Sequence, residues 1–356
     1  MQFEVGKTYG GYEFLDTLGS AKNVLAYRVL NILARRVELL RILPAVLGSD
    51  QERLERFLRE IRVRARLVHP NIVTFYHAGE LEGQFIMTTE LVEGPTLTER
   101  LELGPMPWQE ATAILAAILA ALDFAHANGI VHREVASANI ILTPDKIVKL
   151  SGFGLAKSIT DTQLTQVGAV VGDVKYMSPE QVKGIVNLDG RSDVYSAGAV
   201  LYEAVTGSAP FGSKSQFDLM LAQVSAMPER PSNLRPEIPA DLDRIIMTAL
   251  AKEPPQRFQS AAEFRATLGR LTPGIHDTVE TPRRPAAVIP MTSSPTTAPQ
   301  RDSASDKPAV TAPSLRPITV PEQTGSPQWS LLELTVIGAF FVATMSFLAF
   351  LTMSRW

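Results

Sequence analysis

The chain has 356 residues, of which 45% are hydrophobic and 20% charged, and its formal net charge is −3. This composition is typical of a globular protein and not of a disordered one. The nearly balanced charge gives no general attraction to nucleic acid, so nucleic acid is not an expected partner. The absence of cysteine excludes disulfide bonds and thiolate metal sites.

The first 95 or so residues combine short apolar runs with one charged helix. Residues 37–43 and 84–89 are apolar runs of strand length. Residues 49–67 open with the capping pair Ser49-Asp50 and then carry apolar side chains at helical spacing. The N-terminal part is therefore predicted to be rich in strands, with one helix that buries a single face.

The second part of the chain has a helical apolar pattern. Residues 108–129 are apolar on most sides and predict a buried helix that ends at Asn128-Gly129. Further helical stretches follow at residues 192–206, 215–226 and 241–250. A strand-rich part joined to a larger helical part is an α+β arrangement, with a cleft expected between the two.

Residues 272–330 differ from the rest of the chain, because they contain 11 of its 25 prolines together with many Ser, Thr and Ala residues. Proline removes backbone donors, and the segment has no apolar periodicity, so it cannot build a packed core. It predicts a disordered, extended linker.

Residues 331–353 are expected to form one C-terminal transmembrane helix. Within them, residues 334–353 carry no charge, and a helix of this length spans roughly 30 Å, the thickness of the hydrocarbon core of a bilayer. A buried core helix is the alternative, but such a helix is rarely apolar on every side at this length.

The flanking residues predict how such a helix would be oriented. The N-terminus lacks an export signal, and Arg316 precedes the apolar segment, so the globular part is expected on the cytoplasmic side of the inner (plasma) membrane. Ala339 and Ala343 have small-x-x-x-small spacing, which would support a homodimer, although chance spacing is the favoured interpretation.

Several short motifs follow one another in the globular part. In chain order they are HPNIV (69–73), ELVEGPTL (90–97), YMSPEQV (176–182), SDVYSAGAVLYEAVTG (192–207) and KEPPQRF (252–258). They resemble motifs of the protein kinase family, in particular the bacterial Ser/Thr kinases of eukaryotic type, and the resemblance covers residues 10–271. It implies a bilobal fold with a small β-rich lobe at about residues 10–90 and a large helical lobe at about residues 95–271. It also implies that Arg257 pairs with Glu180 inside the large lobe.

The same resemblance implies an ATP site between the lobes. Gly19 is the one glycine of three that remains in the phosphate-covering loop. Lys22 on this loop could reach a phosphate, but a solvated turn residue is its favoured role. At the hinge between the lobes, the resemblance implies that Glu90 and Val92 contact the nucleotide.

An arginine stands where the family has its phosphate-binding lysine. The alignment puts Arg41 at this position and Glu60 at the position of its carboxylate partner. Arginine keeps the charge and can bind Glu60 through two hydrogen bonds, so the ion pair is expected as a structural strut. The alternative register puts Leu40 at the lysine position.

The catalytic loop reads His132-Arg133-Glu134, so a glutamate stands where the family has its aspartate base. The carboxylate is retained but lies one methylene further from the backbone, and a misplacement of about 1 Å at a reacting centre costs around a hundredfold in rate. Ala136 replaces the lysine that steadies the transferred phosphate in the family.

Of the two metal-binding positions of the family, one is retained and one has lost its side chain. Asn139 matches the metal-binding asparagine of the family, although an asparagine in such a loop also serves to stabilise turns. Gly152 stands where the family has the aspartate that binds Mg²⁺, and glycine has no side chain. The resemblance therefore implies ATP as a ligand, while the missing carboxylate argues against Mg²⁺.

The activation segment has also lost residues that the family uses. Val167 and Ala169 stand at the usual phospho-acceptor positions, and Asp173 replaces a threonine that normally bonds the catalytic base. A carboxylate at position 173 is expected to repel Glu134.

Two functions are consistent with these substitutions. The favoured hypothesis is a membrane-tethered pseudokinase, a signalling protein that uses the kinase fold to bind or scaffold an unidentified protein partner. The alternative is a slow or unconventional Ser/Thr kinase that uses Glu134 as its base and Asn139 as its metal ligand.

Overall fold

The computed structural model describes residues 3–21, 24–43, 61, 65–153, 173–213 and 215–271. Every described residue belongs to one compact unit, Met1–Ala286. Several predicted features lie outside the described residues. They are Lys22, Glu60, most of the charged helix at 49–67, the phospho-acceptor positions 167 and 169, the linker at 272–330 and the transmembrane helix at 331–353.

The N-terminal part is a six-stranded antiparallel sheet with the order β1-β2-β3-β4-β6-β5. Its strands are β1 (Thr8–Tyr9), β2 (Tyr12–Ala21), β3 (Val24–Asn31), β4 (Arg36–Ile42), β5 (Phe75–Leu81) and β6 (Gln84–Glu90). The two apolar runs predicted as strands correspond to β4 and β6.

Strand β4 shows how alternation distributes its side chains between the two faces of the sheet. Leu40 and Ile42 are buried in an apolar cluster with Phe14 and Tyr27. Because successive side chains of a strand point to opposite faces, Arg41 lies on the other face. That face packs against the described end of the charged helix, where Ile61 contacts a small apolar cluster.

The C-terminal part is helical. Its helices are α1 (Leu97–Leu101), α2 (Trp108–Ala127), α3 (Pro179–Val182), α4 (Gly190–Thr206), α5 (Gln216–Ser225), α6 (Pro231–Leu234), α7 (Ala240–Ala249) and α8 (Ala261–Gly269). A two-stranded antiparallel sheet, β7 (Ile140–Leu142) and β8 (Val148–Leu150), carries the segments that lead into the candidate site.

Helix α2 is the buried helix that the sequence predicts. It ends at Ala127 with Asn128 as its C-cap, and Gly129 follows with φ +74°, the left-handed conformation that favours glycine after a helix. It is the one helix in the described part of the chain that is long and apolar enough to cross a membrane. Its apolar residues are packed in the core of the large lobe, which explains this composition.

The predicted ion pair between Arg257 and Glu180 is confirmed. The guanidinium binds both carboxylate oxygens, with N–O distances of 2.7 and 2.8 Å. Burial alone would raise the pKa of Glu180, but the hydrogen bonds from Arg257 and Ser192 hold this pKa below its usual range. This pair joins helix α3, which contains Glu180, to the segment before α8 and stabilises the large lobe.

Candidate functional site

The catalytic loop is attached to helix α4 through one buried carboxylate. Asp193 accepts hydrogen bonds from the backbone N–H groups of His132 and Arg133, both at 2.8 Å. The Nε2 atom of His126 lies 2.7 Å from the same carboxylate. Arg133 has φ +68°, a conformation that costs a non-glycine residue free energy. The two hydrogen bonds to Asp193 hold the backbone N–H of this strained residue and that of His132 before it.

His132 connects the catalytic loop to the Gly152 segment. Its ring lies 4.3 Å from the ring of Phe153, centroid to centroid. Its Nε2 atom lies 2.9 Å from the carbonyl oxygen of Ser151, and its Nδ1 atom accepts from the N–H of Glu134 at 3.2 Å. A carbonyl can only accept, so the hydrogen-bond pattern assigns the proton to Nε2 of a neutral imidazole.

Asn139 and Gly152 are in close contact. The Nδ2 atom of Asn139 donates to the carbonyl of Glu134 at 2.8 Å. A Cβ atom built on Gly152 would lie 2.8 Å from Cγ, 2.9 Å from Nδ2 and 3.0 Å from Oδ1 of Asn139. Gly152 also has φ +85°, which few side chains tolerate. The amide of Asn139 therefore fills the space that a side chain at position 152 would need.

The described residues do not fit a Mg²⁺ ion at this position. Magnesium prefers six oxygen ligands in octahedral geometry, usually with one or two protein carboxylates. Asn139 can offer one amide oxygen, and Gly152 offers no side chain. Across the described ranges, no group of three or more His, Cys, Asp or Glu side chains is arranged to hold a metal ion.

Arg41 lies on β4 directly opposite Met87 of β6. Burial lowers the pKa of its guanidinium, and no described residue forms a hydrogen bond or ion pair with it. Leu40, the alternative residue for the lysine position, is fully buried in the apolar cluster on the opposite face of the sheet. The alignment with Arg41 at the lysine position is therefore the one that the structure favours.

At the predicted hinge, the side chain of Glu90 is already engaged. One carboxylate oxygen accepts from the N–H and hydroxyl of Thr74 and from Nζ of Lys149, each at 3.0 Å. Burial would raise the pKa of Glu90, but Lys149 and Thr74 bring it below its usual range. In contrast, no backbone hydrogen bond within the described residues uses the N–H or C=O of Val92.

The remaining predicted site residues are in less constrained surroundings. Gly19 pairs with Ala26, has φ +104° and is exposed, with no atom within 4 Å of where a Cβ would lie. Asp173 accepts a hydrogen bond from the N–H of Lys175 at 3.1 Å and so caps a short turn. This capping role is not apparent from the sequence.

A chain of hydroxyl groups beside the catalytic loop was also missed from the sequence. Ser137 lies 2.7 Å from the hydroxyl of Thr98 and 2.6 Å from that of Tyr176. Tyr176 donates to Glu203 at 2.6 Å. Since Tyr176 has one hydroxyl proton, Ser137 must donate to Tyr176 and Thr98 to Ser137. Burial and the nearby Glu203 raise the pKa of Tyr176, which keeps its hydroxyl protonated.

These groups define a protein-kinase-type site, in which a buried aspartate holds the catalytic loop. The protein kinase domain family matches residues 12–266, and the chain belongs to the protein kinase family. Members of this family generally use ATP and Mg²⁺.

The chain is similar to bacterial Ser/Thr kinases. Serine/threonine-protein kinase PknB of Mycobacterium leprae (strain TN) is 41% identical over 269 residues, which cover 74% of this chain and 43% of the relative. Serine/threonine-protein kinase PknJ of Mycobacterium tuberculosis (strain ATCC 25618 / H37Rv) is 35% identical over 269 residues, covering 74% of this chain and 46% of PknJ. The chain thus spans less than half the length of these relatives.

The same fold occurs among solved structures. The crystal structure of the Mycobacterium tuberculosis PknI kinase domain matches with a TM-score of 0.61 and 29% sequence identity, covering 76% of this chain and 99% of that one. The small β-rich lobe and the large helical lobe expected from the sequence are therefore confirmed.

Proposed function

We propose that the chain is a membrane-anchored, Ser/Thr-kinase-like signalling protein that acts as a pseudokinase, a binding or scaffold module with impaired use of Mg-ATP. The contact between Asn139 and Gly152 is the observation that carries this proposal. Phosphoryl transfer in this family depends on metal ions that neutralise the β- and γ-phosphates. Here the metal-binding carboxylate is missing, and an amide occupies the space next to Gly152.

The selective loss of catalytic groups supports the same proposal. Ala136, at the position of the phosphate-steadying lysine, is buried and apolar. In contrast, the groups that hold the fold together are in place, including the hydrogen bonds of Asp193 and the bridge between Arg257 and Glu180. A fold preserved without its phosphate-handling groups is suited to binding another protein.

A slow Ser/Thr kinase remains the second candidate, because one observation favours it. Glu134 is held on both sides of its backbone, through its N–H to His132 and through its carbonyl to Asn139. A carboxylate at this position can accept the proton of a substrate hydroxyl. Its extra methylene would place that carboxylate about 1 Å from the usual position, at a cost of around a hundredfold in rate.

Anchoring of the chain is part of this proposal and is supported by the sequence of residues 334–353. We propose that the helix spans the inner (plasma) membrane with the kinase-like domain in the cytoplasm. The partner would be a protein that meets this domain at the membrane surface, and a second copy of the chain is one such partner.

Carbonate extraction of membranes tests the anchor, because a spanning helix stays in the pellet and a peripheral protein does not.

Transfer of labelled phosphate from ATP tests the proposed function most simply. The full chain, purified in detergent, is incubated with labelled ATP and Mg²⁺ or Mn²⁺ and with generic acceptor proteins. We expect no incorporation above that of the Glu134→Gln variant. Incorporation that Glu134→Gln abolishes would establish the slow kinase in its place.

A further inference from the structure

A cavity of about 440 Å³ lies in the large lobe where three segments meet. Its lining comes from the end of α2, the start of α4 and the segment before α8. Its described lining residues include none from the catalytic loop or the hinge. This volume is within the range of pockets that bind small ligands, so the charges and hydrogen-bonding groups of the lining decide what such a ligand would be.

The lining of this cavity carries one negative charge that no described residue neutralises. Arg191 donates to the two carboxylate oxygens of Asp189 at 3.1 and 2.7 Å and to Oε1 of Gln259 at 3.1 Å. These three side chains therefore satisfy one another. Asp123 is half-buried in the lining, and its side chain has no hydrogen bond or ion pair with any described residue. Its carboxylate would repel an anion and attract a cation.

His126 adds a hydrogen-bond acceptor to the same cavity. Its Nε2 atom lies 2.7 Å from the carboxylate of Asp193, which only accepts, so a neutral imidazole carries its proton on Nε2 and leaves Nδ1 as an acceptor. A Cβ atom on Gly190 would lie 2.6 Å from Nδ1, so the glycine keeps this atom free of a covering side chain. Asp123 and His126 are three residues apart on α2 and therefore share one face of the helix, with Cβ atoms about 5–6 Å apart.

From these observations, and resting on the binding function proposed above, we infer that the cavity binds an arginine side chain of the protein partner. A guanidinium is always charged and presents several N–H donors in one plane, so one can bind the carboxylate of Asp123 and another Nδ1 of His126. A lysine ammonium is a point charge and matches two separate acceptors less well. A metal ion fits poorly, because no group of three or more His, Cys, Asp or Glu side chains in the described ranges could hold one.

The test measures binding of N-acetyl-arginine amide to the full chain in detergent at about pH 8, where histidine side chains are ordinarily neutral. NMR follows the imidazole signals of the five histidines, and the signal of His126 is identified by its loss in His126→Gln. N-acetyl-citrulline amide has the same shape without the charge, and N-acetyl-lysine amide has the charge without the planar fork. We expect the arginine derivative to shift the His126 signal with a Kd on the order of 1 mM. The lysine derivative should bind more weakly, and the citrulline derivative should not bind.

Substitution of Asp123 separates the role of its carboxylate from general charge effects. Asp123→Asn is expected to weaken binding of the arginine derivative about fivefold, while the melting temperature stays close to that of the wild type. Asp218→Asn is the matched control, because it removes one negative charge from an exposed position on α5 and should leave binding unchanged. If Asp123→Asn does not fold, the comparison of the arginine and citrulline derivatives in the wild-type chain still decides.

Four results would overturn the inference. In the first three, the arginine derivative does not shift the His126 signal, the citrulline derivative shifts it equally, or the lysine derivative binds more tightly. The fourth is an unchanged affinity in Asp123→Asn. None of these results bears on phosphotransfer, so the pseudokinase proposal would survive each of them. Labelled phosphate transfer would instead refute that proposal, whatever the binding data show.

Discussion

A Cβ atom on Gly152 would lie 2.8 Å from Cγ of Asn139, closer than real Cβ atoms approach other heavy atoms. The change Gly152→Asp is therefore expected to restore little or no phosphotransfer. The new side chain must displace the amide of Asn139 from its hydrogen bond to Glu134. Labelled phosphate transfer by the variant is the measurement, and activity similar to that of an ordinary kinase would contradict this prediction.

The free energy cost of placing a Cβ atom at position 152, next to Asn139, can be measured separately. Gly152→Ala should destabilise the chain by more than Gly129→Ala, because Gly129 also has a positive φ of +74° but has open space around its Cβ position. Strain from a positive φ alone costs about 1–3 kcal/mol. Urea unfolding of both variants gives the difference. Adding Asn139→Ala to Gly152→Ala should remove that difference, and persistence of the full difference would show that Asn139 is not its cause.

The hydroxyl chain gives a second stability prediction. Ser137→Ala should lower the free energy of unfolding by about 1–3 kcal/mol, because Tyr176 and Thr98 lose a buried partner. A double-mutant cycle with Tyr176→Phe should show a coupling energy of about 0.5–3 kcal/mol between the two positions. Additive effects of the two changes would contradict direct contact in solution.

The buried ion pair between Glu180 and Arg257 predicts how the free energy of unfolding changes as the pH falls. The pKa of Glu180 is lowered on folding, so its contribution is complete above the ordinary glutamate pKa and is lost as pH falls through the folded value. Arg257→Met should cost about 3–5 kcal/mol at pH 7, since it leaves a buried carboxylate unpaired. Urea unfolding between pH 3 and 7 should show a smaller acid dependence in this variant than in the wild type. An unchanged acid dependence would contradict the assignment.

Lys252 predicts a change in stability on the alkaline side. Burial and the nearby Arg257 lower its pKa to about 8. Its Nζ atom donates to the carbonyl oxygen of Gln223 at 2.9 Å and lies 4.3 Å from the ring centre of Phe211. The unfolded chain keeps the proton up to about pH 10.5. Between pH 8 and that value the unfolded state binds more protons, so stability should rise with pH.

This alkaline effect is best measured between pH 7.5 and 9.5, before tyrosines ionise in the unfolded chain. Lys252→Met removes the titrating group and should abolish the rise in the free energy of unfolding over this range. Lys175→Met is a suitable control, since Lys175 is an exposed lysine in the same lobe. A rise that persists in Lys252→Met would show that another group causes it.

Much of the fold could be predicted, because strong local patterns encode it. The apolar run around Leu40 forms a strand, and the long helix is capped at Asn128, as the Asn128-Gly129 pair indicates. The pair of Glu180 and Arg257 was expected from motifs alone. In each of these cases the local sequence pattern is consistent with few other structures.

The finer geometry of the site could not be predicted in the same way. The sequence reveals that Gly152 lacks a carboxylate, but only the packed structure places the amide of Asn139 in the vacated space. The role of Ser137 depends on Thr98 and Tyr176, which lie 39 residues away on either side. Such contacts arise from tertiary packing and have no local periodicity to reveal them.

Electron paramagnetic resonance of Mn²⁺ shows whether this site holds a divalent metal together with a nucleotide. The full chain is titrated with Mn²⁺ in the presence and absence of ATP. We expect that no Mn²⁺ becomes bound to the protein together with the nucleotide. A protein-bound Mn²⁺–ATP signal that disappears in Asn139→Ala would contradict it.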